Sequence, residues 1–288
     1  MTRMDKFLFG TQAIGAQGHL SIGGCDAVKL VEEFGTPLYV LDEALVRANC
    51  RAYRDEFGKR LEQVEVAYAG KALLTTAICR IMMQEGMALD VASRGELYTA
   101  VKSGTPADRI KLHGNFKSDE LLSMACEYRV GRLVADSLSE LERLSKLAGE
   151  RGWRPNILLR IGPGIKTQTH TYIQTGQADS KFGLGIASGA AMEGVKLALS
   201  LPNLNLCGLH CHIGSQLLSV DSFARAVEMM VEFVETVKNE TGWECPELDL
   251  GGGLGIAYTP DDVPATVGEL AALVCSSLET AVQQHGVA

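Results

Sequence analysis

No apolar run in this chain approaches the roughly 18 residues that a membrane-spanning helix needs. No basic run exists either: 27 Lys plus Arg stand against 35 Asp plus Glu, for a formal net charge of −8. Such an acid balance argues against nucleic acid or an anionic membrane as partner. The first residues, Met1–Gly10, carry charges but no apolar core and no small-residue cleavage site, so they do not read as a signal peptide. Eight cysteines are scattered at 25, 50, 79, 126, 207, 211, 245 and 275, and no CxxC occurs. That pattern excludes a disulfide framework and points to reduced thiols in the cytoplasm. Two nucleotide signatures also fail. Gly70-Lys71 is followed by Ala72, where a P-loop needs Ser or Thr, and Ile256 stands where a GxGxxG fingerprint starting at Gly251 needs its last glycine.

What remains is a chain of 288 residues, 46% hydrophobic and 22% charged, with short β-rich runs alternating with longer helical patterns. Strands are expected at 37–42, 65–69, 88–92, 109–113, 132–136, 156–161, 206–213 and 247–250. Helices are expected at 43–57, 72–85, 95–103, 118–127, 138–150, 187–200, 220–240 and 265–284, with Ser118 and Ser137 as N-caps. This rhythm predicts α/β architecture with a parallel sheet. Without a nucleotide fingerprint at the first turn, a (β/α)8 TIM-type barrel is favoured over a doubly wound sheet. Polar residues gather where the strands end, at Lys71, Ser93, His113, Asn115, Asp136, Arg160, His212 and Gly251. In a barrel these ends share one face, where an active site is expected. The long break at 162–186 is more in keeping with a functional loop than an idle one.

Four motifs carry chemistry. In Tyr68-Ala69-Gly70-Lys71-Ala72, a lysine closes an apolar strand; a partly desolvated pocket there would favour a neutral amine able to form a Schiff base, although a lysine snorkelling to the surface has the same sequence. In His210-Cys211-His212-Ile213-Gly214-Ser215, strand alternation puts both histidines on one face. They could be satisfied core residues or a weak metal pair, or His212 could stack on an aromatic cofactor while Ser215 donates to a phosphate. Gly251-Gly252-Gly253 after Leu248-Asp249-Leu250 offers backbone amides to an anion, or simply turns the chain. The run from Thr169 to Gly176, with Asp179-Ser180-Lys181-Phe182-Gly183 after it, reads alone as a polar loop. An amine, a stacking imidazole and a phosphate cradle at the strand ends of one barrel together suit pyridoxal 5'-phosphate.

On these residues the chain resembles the barrel-fold (fold-type III) pyridoxal-phosphate decarboxylases nearly end to end. Tyr68-Ala-x-Lys-Ala72, Asp90-Val-Ala-Ser93 and Gly95-Glu96 are similar to the whole superfamily. His113-Gly-Asn-x-Lys117, Thr169-His-x-Tyr-Ile-x-Thr-Gly176 and His210-Cys-His-Ile-Gly-Ser-Gln216 resemble the diaminopimelate branch more than the ornithine or arginine ones, with Phe116 departing from an expected asparagine. The resemblance implies that Lys71 forms the Schiff base and His212 stacks on the cofactor ring. It implies that Ser215, Gly251, Gly252 and Gly253 hold the phosphate, with Asp90 and Arg160 as supports and the 167–183 loop near the mouth. It implies a small amino-acid substrate, meso-diaminopimelate decarboxylated to lysine, and a homodimer.

The same resemblance leads one to look for an eighth barrel strand ending in Glu-Pro-Gly-Arg and for a C-terminal β-rich domain, and neither motif occurs by Ala288. The expectation is therefore an N-terminal segment, 1–36, followed by an incomplete pyridoxal-binding barrel, 37–288, that lacks its last strand and has impaired activity. Two further readings stand beside it: another decarboxylase of the superfamily, acting on arginine or ornithine, or a non-catalytic barrel that binds cofactor or a partner.

Overall fold

The computed structural model describes residues 8–165 and 182–287. It opens with a small antiparallel meander, β1 (Ala13–Ile14), β2 (Leu20–Ile22) and β3 (Cys25–Asp26), which runs directly into α1 (Ala27–Phe34). The Asp26 side chain accepts from the backbone N–H groups of Val28 and Lys29, satisfying two of the donors that every helix start leaves open. Helix α1 buries none of its residues, and Val28, Val31 and Phe34 stay exposed.

The stretch 37–42, expected as a strand, is not one. It has strand composition, but among the described residues no neighbouring backbone supplies a ladder, so it remains an irregular connector with Leu38, Tyr39, Val40 and Leu41 exposed. A strand is a pairing, and β-propensity without a partner does not make one.

From residue 43 the βα alternation is regular: α2 (Glu43–Gly58), β4 (Ala67–Ala69), α3 (Thr76–Gln84), β5 (Ala88–Val91), α4 (Arg94–Lys102), β6 (Ile110–Leu112), α5 (Asp119–Tyr128), β7 (Arg132–Ala135) and α6 (Leu138–Glu150). It continues through β8 (Asn156–Gly162), β9 (Leu184–Gly185), α7 (Ala190–Ser200), β10 (Asn205–Cys211), α8 (Asp221–Thr241), β11 (Leu248–Asp249) and α9 (Val267–His285). Side-chain caps start most of the helices: Asp42, Thr75, Ser93, Ser118 and Ser137 each accept from a backbone N–H in the first turn. Thr266 and Glu269 form a reciprocal capping box on α9. Thr75 explains why α3 begins four residues later than its apolar pattern suggests.

All pairings in the main sheet are parallel, in the order β4-β5-β6-β7-β8-β10-β11. Short β9 continues the ladder on β8 through Ile161 and Gly162, beyond the point where β7 stops. Strands buried on both faces should read as nearly continuous apolar runs, and Ile157–Leu159 does, with each residue fully buried. Outside the sheet the helices pack in sequence order from α2 to α9, and α9 packs back onto α2. The helical layer is thus a closed ring, whereas the sheet inside it stays open between β4 and β11 among the described residues. This is the expected TIM-type arrangement with one strand position unfilled.

Candidate active site at the strand ends

The described residues singled out from the sequence gather at the C-terminal ends of the strands and in the turns just beyond them. Strand β4 ends at Ala69, and the Gly70 N–H donates to the Asp90 carbonyl at 2.8 Å, so Lys71 leaves the sheet beside β5. The Tyr68 hydroxyl donates to the Leu73 carbonyl at 2.9 Å and braces this turn from the other side. Lys71 itself is exposed. The desolvated pocket expected for it is not formed, because β4 is an edge strand and no described strand covers its outer side.

Asp90 is half-buried on β5, with Oδ1 3.7 Å from His113 Nε2. Burial, and then the nearby Asp249 carboxylate, push its carboxyl up to about 7, while Lys71 and Arg160 pull the other way. His212 follows β10 and is pushed down to about 4 by burial and by the positive charges of Lys71 and Arg160. Its imidazole is therefore uncharged at neutral pH. Lys71, Asp90, Arg160 and His212 share one electrostatic field, since Lys71 and Arg160 act on both of the other two.

Beyond β11 the chain turns through Gly251, at φ 67°, and Gly253, at φ 122°. A Cβ on Gly253 would lie 2.0 Å from the Gly214 carbonyl oxygen, and one on Gly251 would lie 2.6 Å from the Cys211 carbonyl oxygen. Backbone alone fits there, and the positive φ values independently require glycine. The Leu217 N–H donates to the Gly253 carbonyl at 2.9 Å and the Gly255 N–H to the Leu217 carbonyl at 2.8 Å. These bonds zip the 251–255 turn to the turn carrying Gly214 and half-buried Ser215. Nothing approaches a Cβ built on Gly252 within 4 Å, so the zipped pair of turns opens outward at that residue.

One layer deeper, His113, His210 and Asp249 bring a ligand-type atom each to within 4.8 Å of one another. The two imidazoles meet edge to face at 4.9 Å, and burial holds both well below the usual histidine range. His210 Nδ1 makes no hydrogen bond among the described residues. Lys111 Nζ lies 3.9 Å from Asp249, so the one carboxylate of this group already faces an ammonium.

The sequence reading gave no role to three arrangements. Lys117, fully buried, donates to the carbonyls of Gly114 at 2.8 Å and Val134 at 2.7 Å and to Glu140 at 2.7 Å, tying the ends of β6 and β7 together. Lys111 crosses the sheet interior to reach Glu65 at 3.2 Å and Glu247 at 3.5 Å. Asp136 sits beside Arg160, whose guanidinium covers the Phe182 ring at 4.4 Å. A lysine alone on a short apolar strand, as in Ile110-Lys111-Leu112, is a sign that could have flagged the second. The expected loop residues Thr169–Gly176 and Asp179–Lys181 lie outside the described residues.

With this geometry in place, comparison with known proteins is informative. Residues 43–288 match the family model "Pyridoxal-dependent decarboxylase, pyridoxal binding domain". The diaminopimelate decarboxylase of Bacillus methanolicus is 39% identical over 98% of this chain, and that of Bacillus subtilis is 41% identical over 97%. The chain spans 65% and 64% of the lengths of those two relatives. Among solved structures, the diaminopimelate decarboxylase of M. jannaschii in complex with L-lysine superposes with a TM-score of 0.88 at 38% identity, covering 96% of this chain and 64% of that one. The chain belongs to the pyridoxal-dependent decarboxylase family, through its pyridoxal-binding domain.

Proposed function

We propose that the chain is the cofactor-binding part of a diaminopimelate decarboxylase, a carboxy-lyase that releases carbon dioxide from meso-2,6-diaminopimelate and leaves L-lysine. One observation carries this reading: Lys71, uncharged His212 and the bare-backbone turn Gly251–Gly253 open on the same end of one parallel sheet. The residues present fit pyridoxal phosphate, because the glycine turn is open at Gly252, where nothing meets a Cβ within 4 Å, and successive glycines allow backbone to close on an anion. Relatives named for this activity at 39% and 41% identity support the choice of substrate.

When bound, pyridoxal phosphate supplies a ring that accepts the electron pair left behind as carbon dioxide departs. Lys71 contributes the amine that holds the cofactor through its aldehyde carbon. His212 would offer a flat, uncharged imidazole to the ring. Ser215 and the turn Gly251, Gly252 and Gly253 would hold the phosphate, with the Gly251 N–H already donated to Asp249 Oδ1 at 2.8 Å. Asp90, pushed up to about 7, can take or release a proton at its carboxyl oxygen near neutral pH, in the field of Lys71. Arg160 supports the site from the β8 side.

In this reading the barrel is residues 37–288, with 1–36 as a separate N-terminal segment, and the working form is a cytoplasmic homodimer. All eight cysteines are free thiols, which supports a reducing compartment. No helix among the described residues is long and apolar enough to cross a membrane. The test is cofactor uptake by purified protein. A visible absorbance band should appear with pyridoxal phosphate and vanish in Lys71→Ala, and a band unchanged by that substitution would overturn the assignment.

A further inference from the structure

Asp136 follows β7 and is buried, 6% exposed, yet its two carboxylate oxygens are treated differently. Oδ2 accepts from the Gly183 N–H at 3.1 Å. Among the described residues Oδ1 makes no hydrogen bond, and it lies 3.6 Å from Arg160 Nη1, an ion pair just beyond bonding distance. Arg160, itself 8% exposed, lays its guanidinium over the Phe182 ring at 4.4 Å. Gly183 has φ 76°, and a Cβ there would lie 2.9 Å from the Arg160 carbonyl oxygen, so only glycine lets this step press against β8. Two contacts therefore join Phe182–Gly183 directly to Arg160, and Asp136, which faces both Gly183 and Arg160, bridges them a third way. A buried carboxylate with an unbonded oxygen carries a cost that a passive structural residue has no reason to keep.

We propose that Asp136 is a positioning residue: it holds the Arg160 guanidinium between its own carboxylate and the Phe182 ring, and so fixes the charge that β8 presents to the cofactor site. This rests on the cofactor reading above for its consequence, although the coupling of Asp136, Arg160 and Phe182–Gly183 does not. Asp136→Asn keeps the shape and the acceptor for Gly183 but removes the charge facing Arg160. Phe182→Leu removes the aromatic face without uncovering a buried charge, which keeps the proposal testable if the first variant folds poorly.

The experiment is a double-mutant cycle on the dissociation constant for pyridoxal phosphate, read by absorbance, with Asp136→Asn, Arg160→Gln and the double variant. Amide hydrogen exchange over 182–186 is measured in parallel without cofactor. Asp136→Asn is expected to weaken cofactor binding about tenfold, Phe182→Leu about threefold, and the double variant no more than Arg160→Gln alone. Exchange at 182–186 should quicken in both Asp136→Asn and Arg160→Gln. Full additivity in the cycle, or a dissociation constant unchanged in Asp136→Asn, would overturn the proposal. If wild-type protein takes up no cofactor, the cofactor reading fails, and the exchange result alone decides the coupling: unchanged exchange in both variants overturns it.

Discussion

At the N-terminal ends of the strands, Glu65 meets Arg109 at 2.9 Å and Lys111 at 3.2 Å, while Glu247 meets Arg132 at 2.9 Å and Lys111 at 3.5 Å. At the C-terminal ends of the same strands, Asp90 lies 3.7 Å from His113 and Asp136 lies 3.6 Å from Arg160, with neither pair hydrogen-bonded. The first end places opposite charges in contact, and it does so across the open sheet: Lys111 on β6 reaches carboxylates beside both edge strands, β4 and β11. Burial works to lower the Lys111 ammonium, but Asp249, Glu247 and Glu65 outweigh it and leave it raised. At the second end burial, and after it the like charges nearby, push a carboxyl up to about 7 and an imidazole down to about 4. One end of the barrel is thus arranged for cohesion, while the other gathers groups with displaced titration, where the proposed function puts its chemistry and where barrel enzymes generally carry theirs.

Substitutions can break that division, and the largest effect is expected at the cohesive end. Lys111→Met leaves Glu65 with Arg109 and Glu247 with Arg132 but removes the buried ammonium that links them and faces Asp249, and it should cost about 3 kcal/mol in urea unfolding. The folded fraction should still take up cofactor. At the other end, Gly253→Ala meets both a 2.0 Å approach to the Gly214 carbonyl and an unfavourable φ. It should cost about 2–3 kcal/mol and, unlike Lys111→Met, should also abolish phosphate-dependent cofactor binding.

The pH dependence of stability sharpens the contrast. Asp90, with an ordinary value of 3.8, is raised to about 7, so between those values the folded chain holds a proton that the unfolded chain has lost. Its contribution is present below about pH 4 and disappears as pH rises through 7. Cofactor-free Asp90→Asn should therefore gain on the wild type by about 1–3 kcal/mol between pH 5 and pH 8, measured by urea unfolding at each pH. His212 acts in the opposite sense: held neutral, it adds stability above pH 6.5 that is lost as pH falls toward 4. Smallest of all on stability is Lys71→Ala. Lys71 is exposed, so its loss should shift unfolding by no more than about 0.5 kcal/mol. A large loss of stability there would erase the proposed separation between the two ends.

Much of this arrangement is legible in the chain. Ser118 and Ser137 mark helix starts by local chemistry alone; the helix expected at 138–150 falls there, and the one expected at 43–57 runs one residue further, to Gly58. Strand-end polarity finds Lys71, Arg160, His212 and Gly251, because a βα unit exposes the ends of its strands wherever it sits, whereas Asp90 is legible only through the family resemblance. What fails is non-local. Pro37–Asp42 has strand composition, but pairing depends on a neighbour that no local pattern reveals. Lys111 looks like a snorkelling lysine until Glu65 and Glu247, far away in sequence, are brought to it. Asp136, Arg160 and Phe182 come from three separate segments, and only packing makes them a unit.

The most direct test of the account is to trap the cofactor where it binds. Purified chain incubated with pyridoxal phosphate, reduced with borohydride, digested and mapped by mass spectrometry should carry the pyridoxyl group on Lys71. Labelling spread over surface lysines, or absent from the peptide containing residue 71, would contradict it.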